Sequence, residues 1–196
     1  MWFYEPISVK DKPLGIPYAR PADDPSSHGY VNLREQPDFI GQLPELRNSP
    51  QLRALVETLN SADSLFETYG CEKWSEQWSN EKFPGFNIRF GSYVDLAFVD
   101  KTRCHTQETY HHLVNAFQQH VERGERLSDA MHAGFELTPT VSLNNESWWT
   151  LSVWLFGVGR SEKEAEHWWK ETLRVFQSFI ASSPWEVLSI PFVSPS

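Results

Sequence analysis

The stretch from Gly134 to Ile180, GFELTPTVSLNNESWWTLSVWLFGVGRSEKEAEHWWKETLRVFQSFI, constrains the fold more than any other. It begins with strict alternation: Phe135, Leu137, Val141 and Leu143 on one side, Glu136, Thr138, Thr140 and Ser142 on the other. Period two is the mark of a half-buried strand. Asn144-Asn145-Glu146 is a hairpin turn signal. The next run, Ser147 to Gly159, is apolar on both faces, as a central, covered strand is. Ser161 and Glu164 then make a capping box. Behind it Ala165, Trp168, Trp169, Thr172, Phe176, Phe179 and Ile180 form one helical stripe.

The same order occurs once before. Ser49 caps and Pro50 starts a helix whose apolar face is Leu52, Leu55, Val56 and Leu59. Residues 65–74 and 86–99 read as strands, the second with Ile88, Phe90, Val94, Leu96 and Phe98 sharing a face. A helix over 106–122 follows, carried by Tyr110, Leu113, Val114, Phe117 and Val121. Two strand-strand-helix units, at about 65–122 and 135–181, predict an α+β fold: an antiparallel sheet with helices covering one face. The Gly-Phe pairs at 85–86 and 134–135 are too little to establish duplication. Residues 1–50 hold eight of the thirteen prolines, Pro13, Pro17, Pro21 and Pro25 among them, together with Trp2, Phe3, Tyr4, Ile16, Tyr18, Phe39 and Ile40. Proline bars regular helix and central strand, but so apolar a segment is no free linker. The expected layout is an extended arm over 1–48, with one short strand, packed on a single domain spanning 49–196.

The net charge of −9, at a sequence pI near 5.2, disfavours nucleic acid and anionic membranes and favours basic proteins. Lys and Arg nowhere cluster as phosphate binding requires. Cys71 and Cys104 are too few for a disulfide framework. MWFYEPISVK is no secretory leader, and no run approaches the ~20 apolar residues of a membrane span. The expectation is a reduced, cytoplasmic protein.

Chemical motifs are sparse. CHTQETYHH, Cys104 to His112, is the densest group of potential ligands. Glu108 and His112 stand four apart on one helix face, and Glu108 with His111 has the Glu-x-x-His spacing of di-iron bundles. Those bundles need a second such motif and two more carboxylates on four helices. Paired zinc-ligand spacings are absent too, so the reading is a solvated helix face. LFGVGRSE, 155–162, has the glycines of a dinucleotide loop, but its third glycine position is Glu162, and Glu164 and Glu166 follow. Glutamates there occupy the positive helix end and repel phosphate; a tight strand-to-helix turn fits better. Neither G-x-S-x-G nor a Walker loop occurs, and Asp95 and Asp100 are ordinary acids for an acidic chain. The sequence calls for no cofactor and no metal, and nothing in it argues for an enzyme.

CEKWSEQWSNEKF, 71–83, is the exception among the polar segments: Trp74 and Trp78 stand amid Glu72, Glu76 and Glu81. Tryptophans ringed by carboxylates have the composition of a binding hot spot for a basic partner. In size, in acidity and in the layout GFELTPTVSLNNESWWTLSVWLFGVGRSEKEAEHWW, the chain resembles over about 60–182 the small immunity proteins made against secreted bacterial toxins, those of type VI and other polymorphic systems included. That resemblance implies a tight complex with a cognate protein toxin, possibly a nuclease whose basic cleft is occluded. It assigns no contact residue; Glu72, Trp74, Glu76, Trp78 and Glu81 are chosen on chemistry alone. The alternatives are an adaptor or phage-type accessory protein binding another host protein, a metal-dependent enzyme using Glu108, His111 and His112, and a sheet-lined small-molecule pocket floored by Trp148 or Trp154.

Overall fold

The computed structural model describes the backbone of residues 3–4 and residues 6–19, 29–81, 83–124 and 128–182. The expectations placed on Trp2, Pro21 and Pro25, and on the side chains of Phe3 and Tyr4, lie outside the described residues. In chain order the strands and α-helices are β1 (Phe3–Tyr4), β2 (Ser8–Val9), β3 (Leu14–Ile16), α1 (Pro50–Leu59), β4 (Phe66–Gln77), β5 (Ile88–Phe98), α2 (Gln107–Arg123), β6 (Met131–Ser142), β7 (Ser147–Gly159) and α3 (Glu162–Ala181).

The fold is α+β, and the two strand-strand-helix units are both present. Their hairpins join through the second strand of each, so the four long strands run β4-β5-β7-β6, every neighbour antiparallel. β7 is therefore central, as its two apolar faces require. The arm contributes more than the single strand expected of it. β1, β2 and β3 pair one after another, in parallel, along the outer edge of β6, which makes the sheet mixed and covers an edge that would otherwise be open to pairing. Beyond β3 the arm's Leu33, Leu43 and Leu46 are buried in the same core as the helices.

The helices lie on the face made by Phe90, Ser92, Val94, Leu96 and Phe98 of β5 and the odd-numbered residues of β7. α3 packs most closely. Its Trp169 packs at a tilt against Phe90, with ring centroids 4.7 Å apart, and donates its indole N–H to Ser92 Oγ at 2.9 Å. A Cβ on Gly157 would stand 2.1 Å from Trp169 N and 2.3 Å from Ala165 O; on Gly159 it would be 2.6 Å from Ala165 N. These glycines thus let the α3 backbone touch β7. The cap is formed, Ser161 Oγ accepting from Glu164 N, while Glu164 Oε2 reaches one residue past the N-cap and accepts from Arg160 N at 2.8 Å. α2 joins this layer through Phe117, which contacts Phe135, Phe176 and Phe179. α1 joins it through Gln177, which donates to Ala54 O and Thr58 Oγ1. Trp169 is fully buried, whereas Trp168 on the same predicted stripe is half-buried.

Among the described residues no helix is long and apolar enough to cross a membrane.

Candidate functional site

The site is built on the sheet face turned away from the helices. Strand pairing fixes which side chains share it, because residues directly opposite in a ladder point the same way. Three rungs cross all four long strands. The first is Trp74–Gly91–Phe156–His132, the second Glu72–Tyr93–Trp154–Gly134, and the third Gly70–Asp95–Ser152–Glu136. A fourth pair, Glu76–Arg89, extends the set at one end.

β4 runs three residues beyond the expected end at Trp74. This extension decides the arrangement: in a strand, Glu72, Trp74 and Glu76 alternate with Lys73 and Ser75, which face the helix side. Lys73 Nζ donates there to Arg47 O at 2.7 Å and to Ser49 Oγ, and Ser75 Oγ donates to Glu162. The acidic-aromatic trio is left on the far face, along an edge strand.

Trp74 is half-buried. Its indole nitrogen donates to Glu76 Oε1 at 3.0 Å, and Arg89 Nη2 approaches the same oxygen at 2.7 Å. The hydrogen bond from Trp74 and then the Arg89 charge hold the Glu76 carboxyl below its ordinary range. The Trp74 ring makes edge contacts with Trp154 at 5.7 Å and Phe156 at 5.9 Å, and lies 6.5 Å from Tyr93. Gly91 makes this possible, since a Cβ there would fall 2.6 Å from Phe156 and 3.2 Å from Trp74. Arg89 also sits 4.7 Å over the Phe156 ring, a cation–π contact. The product is a platform of four aromatic rings, all half-exposed, bordered by Glu72 and Glu76.

The platform corrects one expectation. β7 was expected to be covered on both faces, but Trp154 and Phe156 on its far face are only partly buried. Trp78 also departs from its expected company. It leaves the ladder after Gln77 and, with Phe83, closes on His132 across the sheet end, at 6.0 Å and 4.9 Å from the imidazole. Burial there pushes the His132 pKa down to about 4. The structure thus brings Glu72, Trp74 and Glu76 together on one strand; Trp78 borders the same face through His132 of the first rung, and Glu81 is exposed in the β4–β5 connection.

A cavity of about 490 Å³ opens beside the second and third rungs at the β4 edge. Tyr18, Tyr69, Tyr93, Asp95, Glu72 and Glu45 are among its walls. Tyr18 comes from the arm; its hydroxyl donates to Tyr69 O at 2.6 Å, exposed by the β4 bulge between Thr68 and Gly70. Asp95 accepts from Ser152 Oγ at 2.5 Å, and burial raises its carboxyl pKa. Burial likewise pushes the Cys71 thiol in the same wall upward, the opposite of what an activated nucleophile needs. Neither Trp148 nor Trp154, the expected floor of a small-molecule pocket, lines this cavity.

CHTQETYHH is placed at the start of α2, where His105, Glu108, His111 and His112 are exposed. Glu108 Oε1 and His112 Nε2 are 3.6 Å apart across one helical turn. Cys104 is buried instead, taking the Tyr110 hydroxyl at 3.4 Å. Among the described residues no three His, Cys, Asp or Glu side chains are grouped so as to hold a metal ion.

Sequence reading missed Tyr93, Phe156 and the cavity; it set Asp95 aside as an ordinary acid and named Trp154 only as the floor of a pocket. A signal for Tyr93 and Asp95 was present: in SYVDLAF they alternate with the core residues Val94 and Leu96. That Trp154 and Phe156 share an open face was not legible, because a two-faced apolar strand reads as buried whichever face is open. The cavity depends on the arm crossing to β4, which no local pattern encodes.

No protein-family model matches this chain, and no curated protein or solved structure matches it.

Proposed function

We propose that this protein binds a basic protein through the far face of its sheet, and that the partner is a cognate bacterial toxin which it neutralises as an immunity protein. The observation that carries the binding reading is the row Glu72–Trp74–Glu76 on edge strand β4, continuous with the half-exposed rings of Tyr93, Trp154 and Phe156. A contiguous aromatic patch with a charged rim has the anatomy of a protein interface. Tryptophan and tyrosine anchors supply residence time, and carboxylates on a chain of net charge −9 steer a basic partner into place. The toxin assignment rests on the resemblance in size, acidity and layout to immunity proteins. Occlusion is the mechanism: carboxylates take the place of anionic substrate groups at a basic cleft, a nuclease's being the fitting case.

Glu72 and Trp74 are the residues to test, because Glu76 also holds Arg89 and the Trp74 indole in place. Co-expression of the captured partner with the wild-type protein should restore the growth of cells that the partner alone poisons. Failure to restore growth, with a stable complex present, would leave a binding protein of another kind and remove the toxin assignment.

A further inference from the structure

We infer that the cavity at the β4 edge is a receptor for one organic cation, a primary ammonium or guanidinium group. The inference stands on the cavity itself and holds whether or not the partner is a toxin.

Three carboxylates, Glu45, Glu72 and Asp95, contribute to its walls against one ammonium, Lys73. The Lys73 charge is already engaged by Arg47 O and Ser49 Oγ, so the cavity's balance is anionic. Glu45 Oε2 is shut off from solvent and has no hydrogen-bond partner. A solvent-excluded, unpartnered carboxylate oxygen is costly to keep, and a cationic donor within the cavity would satisfy it. Asp95 adds a second carboxylate to the walls. Ser152 satisfies Oδ1, while the Oδ2 edge faces the Tyr18 hydroxyl across Gly70. A Cβ on Gly70 would stand 3.0 Å from the Tyr18 oxygen and 3.3 Å from Asp95 Oδ2, so the absent side chain keeps this corner open.

The walls also say what kind of cation fits. Tyr18, Tyr69 and Tyr93 contribute to the lining, and aromatic rings attract ammonium and guanidinium groups. A bare metal ion wants several oxygens within a few ångströms, and these carboxylates are not grouped that way. The volume is that of a small-molecule site and accepts a lysine- or arginine-sized chain. Two sources could present such a group: a side chain of a bound protein, or a free amine.

Calorimetric titration and saturation-transfer NMR of the full chain at low salt separate them. The probes are N-acetyl-arginine amide, its neutral isostere N-acetyl-citrulline amide, N-acetyl-lysine methylamide and n-butylammonium. Both charged capped residues, or n-butylammonium, should bind while the citrulline probe does not, and Glu45→Gln and Asp95→Asn should each weaken binding about tenfold. Preference for the capped residues assigns the site to a partner's side chain; preference for n-butylammonium assigns it to a free amine. Binding of citrulline equal to that of arginine, no binding by any probe, or unchanged affinity in both variants would overturn the inference. Glu45 sits on a short turn outside the sheet, so its variant keeps the test open if Asp95→Asn does not fold.

Discussion

The indole N–H of Trp74 donates to Glu76 Oε1 at 3.0 Å, two residues along the same strand face. This bond orients the ring that makes edge contacts with Trp154 and Phe156, and through Arg89 it ties the β4 edge to β5. Replacing Glu76 therefore does two things at once, loosening the platform and removing a rim charge.

Glu76→Gln should cost about 1 kcal/mol at neutral pH, the modest sum expected of partly exposed charged hydrogen bonds. The Glu76 carboxyl is depressed in the folded protein. Its contribution is present above the ordinary carboxylate pKa and disappears as pH falls through the folded value. Urea midpoints of wild type and variant should accordingly differ at pH 7 and converge in acid; a constant difference would contradict the assignment.

His132 should impose a second, steeper acid dependence. Its pKa is lowered by burial from 6.5 to about 4, so the unfolded chain binds a proton that the folded one refuses. Stability is complete above 6.5 and declines as pH falls towards 4, by an amount on the order of 3 kcal/mol. His132→Gln, which keeps a donor for Asp129 O, should flatten that decline in a pH series of chemical denaturation curves. Equal slopes for the two proteins would place the titration elsewhere.

Asp95 carries the opposite sign. Its folded pKa is raised by burial, so its ionisation destabilises the fold progressively as pH rises from its ordinary carboxylate value through the folded one. Asp95→Asn keeps an oxygen for Ser152 and should raise Tm at pH 7 while leaving it nearly unchanged near pH 4. A lower Tm at pH 7 would show that the carboxylate is stabilised by contacts other than those described.

Much of this fold was legible because two periods dominate the chain. Val94, Leu96 and Phe98 at period two, and Trp169, Leu173, Phe176 and Ile180 near period 3.6, each mark one buried face. The capping residues Ser161 and Glu164 fixed where α3 begins. Strand order was not legible, since nothing local tells β5 to pair with β7 rather than β6. Nor was the role of the arm, whose parallel pairing to β6 is made by backbone groups that any sequence carries. Of the candidate site, the composition of 71–83 singled out Glu72, Trp74 and Glu76. Only the extension of β4 to Gln77 explained why they belong together.

Gly157 offers a test of the helix layer independent of function. With Trp169 N only 2.1 Å from where its Cβ would be, Gly157→Ala must push α3 off β7. The expected cost is about 3 kcal/mol or more, read as a lower denaturant midpoint; a loss below about 0.5 kcal/mol would mean that α3 does not pack as described.

If the Glu72–Trp74 row is the binding surface, quantitative affinity capture will show it. Tagged wild type, Trp74→Ala and Glu72→Lys would be compared in lysate of the encoding organism, followed by surface-plasmon kinetics on the captured protein. One dominant basic partner is expected. Trp74→Ala should speed its dissociation about thirtyfold, the scale of a hot-spot loss, and Glu72→Lys should slow association in a salt-dependent way. Wild-type kinetics in both variants, or no partner captured by the wild type, would contradict that role for the row.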